Sequence, residues 1–241
     1  MAGRQWPPGV ADLDYHGAMG PSVLALWLAA SPVPSPAAGG LVIERVVAVV
    51  RNPASAAPRP LTLTRLDEEA RVALVGQGAA TAAFAPLDAA ARRAALHWLL
   101  DQWLVADEAT RLKVDEVPRE EIQKALLGFR ERFADEETYR RFLASTELTE
   151  AELQSILARG LRVQRFLDSR LGRGGRVSED EVSRWLAGQG SAAPTAAERE
   201  AARARLAGDR AQGQVKQILG DLRSRADIRV LVKELRGEPA R

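Results

Sequence analysis

The chain has 241 residues, enough for one large domain or two small ones with a real core, and its 46% hydrophobic and 27% charged content is ordinary for a globular protein. Thirty-four Lys+Arg against 32 Asp+Glu leave a net charge of +2, and the two signs are interleaved, so a pI near 9.3 does not mark a polyanion binder. The absence of cysteine excludes disulfides, thiolate catalysis and Cys-based zinc sites, and it fits an oxidising compartment.

Residues 1–40 read as a leader. Trp6-Pro-Pro-Gly9, Gly17, Gly20 and Pro21 precede an apolar run, Val23-Leu-Ala-Leu-Trp-Leu-Ala-Ala30, and then Ser31-Pro-Val-Pro-Ser-Pro-Ala-Ala-Gly-Gly40. The run has the length of a signal-peptide core and is too short to cross a bilayer. Ser35 and Ala37 suit a cleavage site, whereas Arg4 is the sole clear positive charge upstream and a start at Met19 would leave none. A processed export signal and a disordered Pro/Ala-rich leader are the two readings.

Leu41-Val-Ile-Glu-Arg-Val-Val-Ala-Val-Val50 is a β-branched run that predicts a strand buried on both faces, with a second, shorter strand at Leu61-Thr-Leu63. Thr64, with Asp67 three residues on, is the expected N-cap of a helix through Leu66, Ala70, Ala73 and Leu74 that fails near Gly76 and Gly78. Ala79 to Asp88 reads as a small-residue loop. From Ala89, Leu96, Leu99, Leu100, Trp103 and Leu104 fall on one helical face. Pro118 suits a first helical turn, opening a helix whose stripe is Ile122, Leu126, Phe129 and Phe133. A short helix carries Tyr139, Phe142 and Leu143. Capping boxes at Thr149/Glu152, Ser178/Glu181 and Thr195/Glu198 open three more helices, with breaks at Gly172-Arg-Gly-Gly175 and Gly188 to Pro194. The last helix runs to about Arg225 despite Gly208, Gly213 and Gly220. Its first half is expected to be partly exposed and its second half docked on the core. Asp227-Ile-Arg-Val-Leu-Val232 then predicts a closing strand. The fold class is mainly α, a multi-helix domain whose small sheet joins N-terminal strands to the C-terminal strand. Residues 41–190 and 195–232 would form one unit.

Candidate catalytic chemistry is sparse. His16 lies in the leader and His97 in a helix, where a surface or partly buried histidine is the expected role. No P-loop, GxGxxG or GxSxG motif occurs, and no cofactor or metal is expected. The carboxylate runs Asp67-Glu68-Glu69 and Glu179-Asp180-Glu181 sit at helix N-termini, which favour solvated, ionised groups. No enzyme is expected.

In order and spacing, several segments resemble the N-terminal chaperone region of SurA-type periplasmic chaperones. They are Glu44-Arg-Val-Val-Ala-Val-Val-Arg-Asn52 with Leu61-Thr-Leu-Thr-Arg-Leu66, then Ala95-Leu-His-Trp-Leu-Leu-Asp-Gln-Trp-Leu-Val-Ala-Asp-Glu-Ala109, Val114, and Pro118-Arg-Glu-Glu-Ile122. Leu148-Thr-Glu-Ala-Glu-Leu153, Arg176-Val-Ser-Glu-Asp-Glu-Val182 and Ala226-Asp-Ile-Arg-Val-Leu231 continue it, and the resemblance covers about residues 42–232. Three departures stand out. Asn52 is followed by the longer Pro53-Ala-Ser-Ala-Ala-Pro-Arg59, Gln77 to Asp88 is rich in small residues, and Gly188 to Pro194 is far too short for the family's isomerase domain, which needs at least about 50 residues.

The resemblance implies ATP-independent binding of unfolded or partly folded polypeptides in the periplasm, of the kind that serves outer-membrane protein assembly, without isomerase activity. Trp98, Trp103, Phe129, Phe133, Tyr139 and Phe142 are the candidate peptide-binding side chains, and most of them also fit core packing. An interaction subunit holding one envelope or secretion partner is the alternative. Thirty arginines raise nucleic acid as a partner, and the interleaving of charge argues against it. No integral membrane span is expected, and a monomer and a dimer both fit.

Overall fold

The computed structural model describes residues 44–53, 57–114, 116–171, 177–190 and 194–236. The leader with His16, the start of the 41–50 run and the Gly172–Gly175 break lie outside the described residues. Within them the chain is mainly helical, with one small antiparallel sheet.

Strand β1 (Val46–Arg51) begins five residues later than the apolar run suggested, and Val47, Ala48 and Val50 are its buried positions. Strand β2 (Arg59–Thr62) pairs with it antiparallel, Val50 opposite Arg59 and Ala48 opposite Leu61, with an irregularity between Val46 and Ala48. Pro60 is tolerated because β2 is an edge strand, with no central ladder to break. The other edge is β3 (Asp227–Val230), which pairs antiparallel to β1 with Ala48 opposite Val230 and Arg51 opposite Asp227. The sheet therefore needs both ends of the described chain.

Helix α1 (Leu63–Gly76) follows β2 without a loop. Its N-cap is Thr62 and not Thr64: the Thr62 hydroxyl accepts from the Arg65 amide at 3.2 Å. Thr64 already lies in the first turn, where its amide and hydroxyl donate to Glu44 Oε1. Helix α2 (Ala89–Arg111) is capped by Asp88 and is the central element, burying Leu96, Leu99, Leu100, Trp103 and Leu104. Arg92 ties its start to α1 through a two-pronged contact with Asp67, at 2.9 and 2.7 Å.

Helices α3 (Arg119–Arg130), α4 (Glu136–Ser145) and α5 (Glu150–Leu171) follow. Pro118 stands at the N-cap of α3, one residue before the first turn. The capping pairs at 149/152, 178/181 and 195/198 form as the sequence predicts. They open α5, α6 (Glu179–Gly188) and α7 (Ala196–Arg225).

Apolar burial falls into three clusters. The largest joins the sheet, α1, α2, the second half of α5, the second half of α7 and Leu235. A second, aromatic cluster joins the end of α1, the 3-10 turn Ala82–Phe84, α3, α4 and the first half of α5. The third is small: Val182, Leu186 and Ala202, with Trp185 and Leu206 against them, fasten α6 to the first half of α7. That half of α7 is partly exposed, as expected, and packs on α6 through Ala202 and Leu206, and the glycines do not interrupt the helix.

Candidate peptide-binding groove

Five of the six candidate side chains are interior. Trp103 belongs to the main core, where the Arg59 guanidinium stacks 4.7 Å from its ring centre and also pairs with Asp107 at 2.9 Å. Phe129, Phe133, Tyr139 and Phe142 pack on one another with ring centres 5.2–5.8 Å apart, and Phe142 has no exposed surface. Such tilted and edge-on pairs add about 0.5–1.5 kcal/mol each beyond burial. The set is therefore no open aromatic surface. An aromatic on the inner stripe of an amphipathic helix looks the same in sequence whether a helix or a client covers it.

Two members still border concavities. Trp98, half-buried, lines a shallow apolar hollow between α1 and α2 with Ala73, Leu74, Leu87 and Ala94. Phe133 lines a larger open groove of about 770 Å³, within the size range of ligand sites, about 300–1,000 Å³. Its apolar lining is Ala80, Phe84, Phe133 and Ala134; its polar lining is Thr81, Thr138, Arg132 and Arg141. The two concavities share the turn that closes α1, with Gln77 in the hollow and Gly78 in the groove.

The groove's walls are held by specific contacts. Gly78 has φ +90°, a conformation that costs L-residues strain and lets the chain turn sharply out of α1. Arg71 reaches from α1 to the carbonyls of Ala83 at 2.8 Å and Ala85 at 3.3 Å, which latches the 3-10 turn carrying Phe84. Phe84 meets Phe142 edge-on at 6.1 Å, and the Arg141 guanidinium lies 5.0 Å from its ring centre. Asp135 caps α4 by accepting from the Thr138 amide at 2.7 Å, and this bond holds its carboxyl below the usual carboxylate range. The sequence did not single out Phe84, Arg132 or Arg141. The Gly-rich stretch after α1, followed by a lone aromatic among alanines, was the available signal.

The titratable groups elsewhere serve packing. His97 is half-buried on α2, and burial, Arg223 and Arg93 lower its pKa against the pull of Asp101. Asp101 is pushed above the usual carboxylate range by burial, opposed by its 2.6 Å pair with Arg223. The Asp67-Glu68-Glu69 run is not solvated as its helix position suggested. Asp67 is engaged by Arg92, burial raises Glu68 against the pull of Arg65, and Glu69 is fully buried. Glu69 Oε1 lies 2.9 Å from Arg65 Nε, off the line of a hydrogen bond, and its other oxygen is paired with Arg159 of α5. Burial lowers the Arg159 pKa while Glu69 raises it. Turned side-on from the helix end by the 3.6-residue period, Glu69 faces α5 rather than water. The Glu179–Glu181 run does lie at an exposed helix start, with Glu181 capping Ser178.

Among the described residues no group of three His, Asp or Glu side chains is gathered as a metal set, and no helix is long and apolar enough to cross a membrane. Comparison with models of known families, with curated proteins and with solved structures finds no match to this chain.

Proposed function

We propose that this chain binds unfolded or partly folded polypeptide without ATP, in the periplasm, and has no isomerase activity. The observation that carries the reading is the open groove beside the aromatic core, with Phe84 and Phe133 in its lining and two arginines beside them. Its apolar lining captures side chains by burial at about 25 cal/mol per Å², and no reacting group is required. The resemblance to SurA-type chaperones supports the same reading, and a sheet closed by both chain ends suits it.

The test is suppression of aggregation of an unrelated denatured protein without nucleotide. Wild-type protein is expected to suppress it at severalfold excess, and Ala80→Trp, which fills the groove, to lose most of the effect while keeping its melting temperature. No suppression by the wild type, or full suppression by the filled variant, would sink the reading.

The enclosure of five of the six aromatics favours a second reading: one dedicated envelope or secretion partner seated in this groove. A peptide array separates the two. Broad binding supports the general holder, and a single family of bound sequences supports the dedicated subunit.

A further inference from the structure

The ionisable side chains that line the groove are of one sign. Both ionisable side chains that line it, Arg132 and Arg141, are cations, and neither forms an ion pair with any described residue. Of the acids near them in sequence, Glu131, Asp135, Glu136 and Glu137, none lines the groove. Asp135 caps α4 through the Thr138 amide and also lies within the field of Arg141, both of which lower the pKa of its carboxyl, and Glu136 is held by Arg130 at 2.6 Å and Arg140 at 3.3 Å. The groove therefore joins an apolar lining to two guanidinium groups, with no carboxylate in its lining.

From this we propose that the groove takes an extended polypeptide segment in which an aromatic side chain is flanked by acidic residues. The aromatic side chain enters between Phe84 and Phe133. Its carboxylate neighbours meet Arg132 and Arg141, whose planar guanidinium groups suit two-pronged carboxylate contacts. A basic neighbour in the same place meets like charge, so the groove rejects Lys- and Arg-flanked segments. The proposal rests on the polypeptide-binding reading and narrows it to one class of segment.

The test uses three synthetic decapeptides with a central phenylalanine flanked on both sides by Asp, by Ser or by Lys, titrated against the full chain by calorimetry. Two exposed charge pairs correspond to about a three- to tenfold preference for the Asp peptide over the Ser peptide at low salt, with the Lys peptide weakest. The preference should shrink as salt is raised, while binding of the Ser peptide changes little. In the double variant Arg132→Gln/Arg141→Gln the three affinities should converge, and in Ala80→Trp all three peptides should lose binding.

Equal affinities for the three peptides in the wild type, all lost in Ala80→Trp, would overturn the acidic preference and leave the polypeptide-binding groove standing. An Asp preference that survives the double arginine variant would place the recognition elsewhere and overturn the proposal. No binding of any peptide, together with no suppression of aggregation, would overturn this proposal and the reading beneath it.

Discussion

The aliphatic core around Leu99 and the aromatic core around Phe142 share two helices and differ in how far the chain must travel to build them. The first draws β1, α2, the end of α7 and Leu235 together, and Arg223 reaches Asp101 across 122 positions. The second is assembled from residues 72–157 alone. Loop closure makes distant contacts costly before they are rewarded, so the aromatic region has the shorter route to its packed state. The groove lies against the locally built region, and the sheet ties the ends of the molecule together. Between them sits the Glu69–Arg159 pair. On α1, Leu66 and Ala70 face one core while Val72 and Val75 face the other. On α5, Ile156 and Val163 divide in the same way around Arg159.

The comparison can be broken most forcefully at the chain's end. Deleting residues 226–241 removes β3 and the buried Leu235 and uncovers one edge of β1. The expected loss exceeds about 4 kcal/mol, since burial of one leucine side chain alone is worth about 2–5 kcal/mol. An unchanged urea midpoint would show that the sheet does not hold the main core.

Phe142→Ala empties the centre of the aromatic cluster and should cost about 3–5 kcal/mol. Amide exchange should accelerate first in α3 and α4, with β1 still protected. If β1 loses protection equally, the two cores form one cooperative unit.

Glu69→Gln leaves Arg159 beside an uncharged partner in a buried site, an effect of about 3 kcal/mol. The double variant Glu69→Leu/Arg159→Met should be more stable than Glu69→Gln, because it removes both buried charges together. A double variant that is less stable would mean that the pair itself joins the two cores.

Acidification offers a subtler probe of the main core. His97 has a lowered pKa in the folded state, so below about pH 6.5 the unfolded chain binds more protons there than the folded one. Its contribution is present above that pH and is lost as pH falls toward the folded value. Asp101, raised by burial, works in the opposite sense and in a lower window, where stability declines as pH rises just above the usual carboxylate range. The difference in urea midpoint between pH 7 and pH 5.5 should therefore be larger in wild type than in His97→Gln. Equal differences would remove His97 from the account. Smallest of all, Thr195→Ala should cost about 1 kcal/mol by loss of a cap, fraying the α6–α7 pair and leaving both larger cores intact.

Much of this arrangement is legible in residue order, for local reasons. Capping boxes need only four consecutive residues, so Thr149, Ser178 and Thr195 mark their helices without knowledge of the fold. The closing strand is legible because β-branched residues follow a helix that its sequence ends. The Thr62 cap was missed because two threonines two residues apart offer the same hydroxyl, and the bond from Leu63 to the Arg45 carbonyl decides between them. Glu69 was missed because its partner is 90 positions away. The groove was hidden for a related reason: the aromatics named from the helical stripes lie mostly beneath it. Phe84, Arg132 and Arg141, which line it, come from a turn, a helix end and an outer face.

Helix α7 runs unbroken for 30 residues, about 45 Å at 1.5 Å per residue, from the small third core to the sheet. It works as a strut with its load at both ends. Among the described residues, that strut joins the α6–α7 junction to the sheet. Cargo spliced between Gly190 and Pro194 would hang from the far end of a rigid arm, free to change in size while the sheet that closes the molecule keeps its register.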